Sequence, residues 1–260
     1  MPARYDQHFL IDDAAADTIV SAASIEAGDP VIEIGPGAGV LTRRLLERGA
    51  SLTVVEVDSK LIPGLERRFG KDENFTLIHS DFLKRDLDLL PKEATIVSNL
   101  PYSVGTPIVQ RLLDWPAWDV AVLMLQKEVV DRVLADPGSK TYGLLTLSVA
   151  IKADAEHICD VGPECFSPPP KVSSTVMRLH RRPKIALPED LGEKDFFRIA
   201  RAAFGQRRKM AAKSIASVLG VPRATVNAAF MACGLPVTAR AEKLSLDEFI
   251  ALAKKLKLNS

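Results

Sequence analysis

Residues 1–180 alternate short aliphatic, β-branched runs with stretches of helical periodicity, and this alternation limits the fold more than any other feature of the chain. Strands separated by helices pair in parallel, because a crossover must carry the chain back to the starting edge of the sheet. The runs predict strands at 31–34, 52–57, 76–78, 95–98, 120–125, 157–161 and 174–179. Helices are expected between them at 13–25, 40–48, 60–69, 107–113, 127–135 and 143–152. The last two strands have no long helix between them. The expected class is therefore α/β, an open twisted sheet of seven strands whose last pair is partly antiparallel.

Arg181-Arg182-Pro183-Lys184 and Pro188-Glu189 read as a polar, proline-punctuated linker. Beyond it only helical patterns remain, at 194–204, 209–219, 223–233 and 246–256, with Gly205, Gly220 and Gly234 as stops. Ser245 with Glu248 forms a capping-box pattern for the last helix. Two domains follow, 1–183 and 190–260. The formal charge of +1 hides a division between them. Residues 1–170 carry 16 Lys and Arg against 26 Asp and Glu, a net of −10, while 171–260 carry 18 against 7, a net of +11. A basic third of this kind suits a polyanion, although a solvated helical surface would look the same.

No apolar run approaches the length of a membrane span, and the first residues contain acids without a long apolar stretch. Cys159, Cys165 and Cys233 lack CxxC spacing, and His8, His79, His157 and His180 are scattered. Neither a disulfide framework nor a metal site is suggested, and a reducing cytoplasm is the expected compartment.

Two segments carry chemistry. Glu33-Ile34-Gly35-Pro36-Gly37-Ala38-Gly39 follows the first expected strand and opens a helix, so its backbone can approach a ligand closely. A dinucleotide fingerprint would need a small residue where Val40 stands. The Gly-x-Gly-x-Gly spacing instead resembles the loop of S-adenosylmethionine-dependent methyltransferases. Glu56 closes the second strand, where an acid can accept from ribose hydroxyls, with Asp58 as a competitor. Asp81 closes the third strand, suited to accept from an adenine amine. A tight turn needs the same glycines, and a helix cap explains any one acid, but three such features fall in order at successive strand ends. The second segment, Asn99-Leu100-Pro101-Tyr102, ends the apolar run 94–98. Its amide oxygen and a backbone carbonyl can accept both N–H bonds of an exocyclic amine while the ring stacks on the base.

With these residues in hand, the chain resembles the ribosomal RNA small-subunit adenine dimethyltransferase family. The likeness runs from Gln7-His8-Phe9-Leu10-Ile11-Asp12 through the glycine loop, Glu56, Asp81 and the Asn-Leu-Pro-Tyr tetrad. It continues through Leu125-Gln126-Lys127-Glu128-Val129, Tyr142-Gly143, the segment Phe166-Ser167-Pro168-Pro169-Pro170-Lys171-Val172, and Phe204-Gly205-Gln206-Arg207-Arg208-Lys209. The resemblance implies a Rossmann-like class I methyltransferase sheet with a small all-helical C-terminal domain. It also implies S-adenosylmethionine-dependent dimethylation of adjacent adenine N6 amines near the 3′ end of small-subunit, 16S-type rRNA, within ribosome biogenesis. The methyl donor would contact His8, Leu10, Gly35, Gly37, Glu56, Asp81 and Asn99. The base would meet Asn99, Leu100, Pro101 and Tyr102, with Phe166 on its other face or edge. Arg207, Arg208, Lys209 and Lys213, at helical spacing, would take phosphates, with Lys171, Arg181, Arg182 and Lys184 as additions. No metal is required, the partner would be an assembling small subunit, no membrane is involved, and the chain reads as a monomer. Two positions depart from the family pattern: His8 stands where asparagine is usual, and Met210-Ala211-Ala212-Lys213 differs from the usual continuation. The alternatives are a large-subunit rRNA adenine methyltransferase of antibiotic resistance and a non-catalytic ribosome-assembly factor.

Overall fold

A computed structural model describes residues 8–206 and 208–256. The chain divides into two compact units, Met1–Val130 with Ala153–Arg182, and Asp131–Lys152 with Pro183–Ser260.

The first unit is the α/β sheet. In chain order it contains β1 (Phe9–Leu10), α1 (Asp13–Ala22), β2 (Pro30–Ile34), α2 (Val40–Glu47), β3 (Ser51–Glu56), α3 (Ile62–Phe69) and β4 (Phe75–His79). There follow β5 (Ala94–Asn99), α4 (Gly105–Asp114), β6 (Trp118–Gln126), β7 (Ala153–Val161), β8 (Phe166–Ser167) and β9 (Ser174–Arg181). The sheet runs β4-β3-β2-β5-β6-β9-β7 and contains all seven expected strands. From β4 to β6 neighbours are parallel, whereas β9 is antiparallel to both β6 and β7. The short link from β7 to β9 has no crossover helix, so the returning strand inserts beside β7 in the opposite direction.

Strands covered on both faces need apolar residues throughout. Ile32, Val54, Ile96, Val97, Val122 and Leu123 are accordingly buried. Helices α1 and α2 seal one face with Ile19, Val20, Leu41 and Leu45. The Arg44 guanidinium ties them, its Nε donating to Asp17 at 2.6 Å and its Nη2 to Asp13. Asp12 starts α1 by accepting from the Ala15 N–H at 2.7 Å.

Strands β1 and β8 form a separate two-stranded ladder that the periodicity does not reveal. Phe9 opposes Ser167 and Leu10 opposes Phe166, and the Ile11 N–H extends the pairing to the Cys165 carbonyl at 2.8 Å.

The second unit is helical: α5 (Lys127–Val133), in which the division falls, then α6 (Leu144–Ala150), α7 (Glu193–Phe204), α8 (Ala211–Leu219), α9 (Arg223–Ala232) and α10 (Leu246–Lys255). The division departs from the single cut expected near residue 183. Tyr142, Leu147 and Ile151 bury in one core with Phe196, Ile215, Phe230 and Phe249, which draws 131–152 into the helical unit. Lys152, nearly buried, is paired with Glu193 at 2.6 Å. The redrawn boundary keeps the charge asymmetry, with 17 Lys and Arg against 24 Asp and Glu in the first unit (net −7) and 17 against 9 in the second (net +8). The expected capping box opens α10, where Ser245 Oγ accepts from the Glu248 N–H at 3.2 Å and Glu248 Oε2 accepts from the Ser245 N–H at 2.7 Å. Gly220 and Gly234 are left-handed (φ +66° and +69°), whereas Gly205 is right-handed at φ −59° where α7 ends. No helix among the described residues is long and apolar enough to cross a membrane.

Candidate active site

In an open parallel sheet, the loops leaving the carboxyl ends of the strands meet along one edge. Here the loops after β2, β3, β4 and β5, together with β1, enclose a cleft of about 1160 Å³ counted to its open mouth. His8, Leu10, Gly35, Gly37, Glu56, Asp81, Asn99, Leu100, Pro101 and Tyr102 all line it. Stretches far apart in sequence thus converge, as their strand-end positions imply.

The loop after β2 turns through Gly35 (φ +67°), Gly37 (φ +55°) and Gly39 (φ +80°). The Phe9 ring lies so close above Gly37 that a Cβ there would stand 3.2 Å from it. Glycine is needed at this position both for the left-handed backbone and for the room beneath β1.

Glu56 is almost fully buried at the end of β3. Its Oε1 accepts from the Val57 and Asp58 N–H groups at 2.8 and 2.7 Å. Burial pushes its pKa up, and the backbone donors, Gly37 among them, pull it back. Asp58 lies outside the cleft lining, its Oδ1 accepting from the Lys60 N–H at 3.0 Å, so Glu56 is the acid of this pair that faces the cleft. Asp81 folds its own loop, accepting from the Leu83 N–H at 3.0 Å, with Lys84 Nζ 3.5 Å away.

Glu33, which sequence reasoning misses, also lines the cleft. It is 1% exposed, and the Thr42 hydroxyl donates to it at 2.6 Å. Burial, reinforced by the nearby Glu56 charge and opposed by the Thr42 hydrogen bond, pushes its pKa up to about 8. The signal is present in the chain: an acid inside the apolar run Val31-Ile32-Glu33-Ile34 must find a partner or stay protonated.

At the end of β5, the Leu100 N–H continues the ladder onto the Met124 carbonyl at 3.0 Å, and the Pro101 carbonyl accepts from the Val104 N–H at 3.1 Å. Asn99 Nδ2 donates to the His8 carbonyl at 3.5 Å, leaving its Oδ1 as the acceptor. His8 Nδ1 is 2.7 Å from the Pro168 carbonyl, and the imidazole lies against Tyr102 with ring centroids 5.5 Å apart, tilted by 36°. The Tyr102 hydroxyl is 2.8 Å from Ser174 Oγ, and burial raises its pKa.

Phe166 stands apart from the other expected site residues. It is 3% exposed, faces Leu10 across the β1–β8 ladder within the core, and is not part of the cleft lining.

Of the basic candidates, Arg207 lies outside the described residues. Arg208, Lys209 and Lys213 are exposed, but the expected helical spacing holds for Lys213 alone. Helix α8 begins at Ala211, where Ala211 and Ala212 become fully buried, so Arg208 and Lys209 sit in the turn after α7. Lys171 and Lys184 are exposed. Arg181 lies over the Trp118 ring (5.3 Å) and Arg182 pairs with Asp154 (2.5 Å), so both serve the sheet.

A sheet of this order, with its final strand antiparallel and its ligand loops gathered on the carboxyl edge, defines a Rossmann-like methyltransferase. The family profile described as ribosomal RNA adenine dimethylase matches residues 2–257, and the chain belongs to that family. Among curated relatives, it is 40% identical to the ribosomal RNA small subunit methyltransferase A of Synechococcus elongatus, over 98% of this chain and 96% of the relative. It is likewise 40% identical to the protein of that name from Clostridium acetobutylicum, over 97% and 92%. Among solved structures, it is similar to a dimethyladenosine transferase from Plasmodium falciparum, with TM-score 0.78 and 26% identity over 94% of this chain and 96% of that one. It is also similar to the 23S rRNA methyltransferase ErmE, with TM-score 0.76 and 27% identity over 96% and 100%.

Proposed function

We propose that the cleft binds S-adenosylmethionine beside one unstacked adenine, and that the enzyme dimethylates the N6 amines of adjacent adenines near the 3′ end of small-subunit rRNA. The observation that carries this reading is the convergence of Asn99-Leu100-Pro101-Tyr102 with the glycine loop and Glu56 in a single cleft. The donor fits the residues present: glycines for close backbone approach, the buried Glu56 carboxylate as an acceptor for hydroxyls, and Asp81 for an amine. The small-subunit methyltransferases at 40% identity favour this substrate over the 23S rRNA on which ErmE, at 27% identity, acts.

The adenine amine is a poor nucleophile because its lone pair is delocalised into the ring. Asn99 Oδ1 accepts one N–H. The Pro101 carbonyl is engaged by Val104, so the Leu100 carbonyl takes the other. Both bonds concentrate the lone pair on N6, and Tyr102 stacks on the base, a contact worth about 1–3 kcal/mol. When bound, S-adenosylmethionine would supply an electrophilic methyl carbon for N6 and would retain on its sulfur the electron pair of the carbon–sulfur bond. N6 then sheds its proton to water at the cleft mouth. Holding the reactants in line can account for roughly 7–11 kcal/mol of the barrier. Exposed Arg208, Lys209 and Lys213, with Arg207, contact phosphates, which position RNA without reading its sequence. The enzyme acts as a monomer on an assembling small subunit in the cytoplasm.

The test is methylation of small subunits isolated from cells lacking this activity, with modified nucleosides mapped by mass spectrometry. Dimethyladenosine at adjacent positions near the 3′ end is expected. Dimethylation confined to large-subunit RNA, or none, refutes the reading.

A further inference from the structure

We infer that Ser174 is a positioning residue that fixes the Tyr102 ring and thereby sets the balance between the first and second methyl transfers to one adenine. The inference rests on the function proposed above and concerns a residue outside the cleft lining.

Ser174 is fully buried at the start of β9, held between Gln126 on β6 and Val161 on β7. Its Oγ lies 2.8 Å from the Tyr102 hydroxyl. Tyr102 belongs to no strand or helix: it sits in the connection from β5 to α4, half-buried at the cleft. The ring is thus held at its backbone end by the turn that Pro101 and Val104 close, and at its hydroxyl end by β9, one strand in from the edge of the sheet. A stacking platform needs only the π-face, which phenylalanine would supply equally well. The hydroxyl adds the tether.

The tether gains importance after the first transfer. An unmodified amine is held by two accepted N–H bonds and by the stack. The monomethylated amine keeps only one N–H, so one of the two acceptors no longer orients it. Alignment for the second transfer then depends more heavily on the attitude of the ring.

Single-turnover methylation of small-subunit particles, with mono- and dimethyladenosine resolved over time, tests this. Donor affinity is measured in parallel by calorimetry. Ser174→Ala and Tyr102→Phe are each expected to slow the second transfer about five- to tenfold, the scale of one lost hydrogen bond, and the first less than about twofold. Monomethyladenosine should accumulate with donor affinity unchanged. The double variant should be no slower than either single one, because both remove the same contact, and Ser174→Thr should restore dimethylation. Equal slowing of both transfers, additive losses in the double variant, or unchanged kinetics in Ser174→Ala overturns the proposal while wild-type dimethylation stands. A wild type that makes no dimethyladenosine overturns the functional reading, and this inference with it.

Discussion

Replacing Glu33 by glutamine removes a proton that the fold holds unusually tightly. The carboxyl has an ordinary pKa of 4.5, but burial in β2 carries it to about 8 in the folded protein. Between those values the folded state binds more protons than the unfolded chain. Stability from this source is therefore complete below pH 4.5 and is lost as the pH climbs through about 8. The steepest loss from one group is about 1.4 kcal/mol per pH unit. From about pH 5 to about pH 7 the wild type should thus lose about 2–3 kcal/mol, or roughly 5–10 °C in melting temperature for a protein of this size, relative to a variant without the carboxyl. Glutamine suits the comparison, because its amide oxygen can still accept from the Thr42 hydroxyl that lies 2.6 Å from the present carboxyl. Both tryptophans, Trp115 and Trp118, lie in the sheet unit, so their fluorescence reports the melting of that unit alone. Glu33→Gln should show the flatter pH profile and melt at or above the wild type at about pH 8. Parallel profiles for the two proteins would refute the claim that Glu33 is protonated at neutral pH.

Asn99→Ala should abolish methylation while the melting profile stays close to wild type; retained activity would remove the amide from the mechanism. Phe166→Leu, which keeps an apolar side chain in the core, should retain activity with a modest loss of stability of about 1 kcal/mol. A collapse of activity in a stably folded Phe166→Leu protein would reinstate the ring as a stacking surface. Neutralising Arg208 and Lys209 together should lower the slope of log affinity for RNA against log salt by about 1.4–1.8. An unchanged slope would place both side chains away from phosphate.

The seven strands of the sheet are legible in the sequence as short, mostly apolar or β-branched runs between helical stretches, and the strand-end positions of the glycine loop, Glu56, Asp81 and Asn99 carry the cleft with them. What escapes lacks such a pattern. Two residues of strand, as in Phe9–Leu10, show no periodicity, so the ladder that brings His8 and Leu10 to the cleft is visible only in three dimensions. The helix 144–150 reads as an α/β crossover, yet Tyr142, Leu147 and Ile151 find their partners some fifty and more residues further on. Phe166 suggests aromatic chemistry beside its prolines, but its apolarity decides its place. The start of α8 is set by burial of two alanines, while the preceding Arg208 and Lys209 have helix-forming propensities that point the other way.

The pairing of Phe9–Leu10 with Phe166–Ser167 also bears on how the enzyme is made. A nascent chain emerging up to β6 already contains the glycine turn and the Asn-Leu-Pro-Tyr corner, but the segment bearing His8 and Leu10 still lacks the strand that docks it. Completion of the cleft therefore arrives late in synthesis, once the ribosome has delivered the stretch around residue 166, and a fragment ending sooner would have a groove with one side missing.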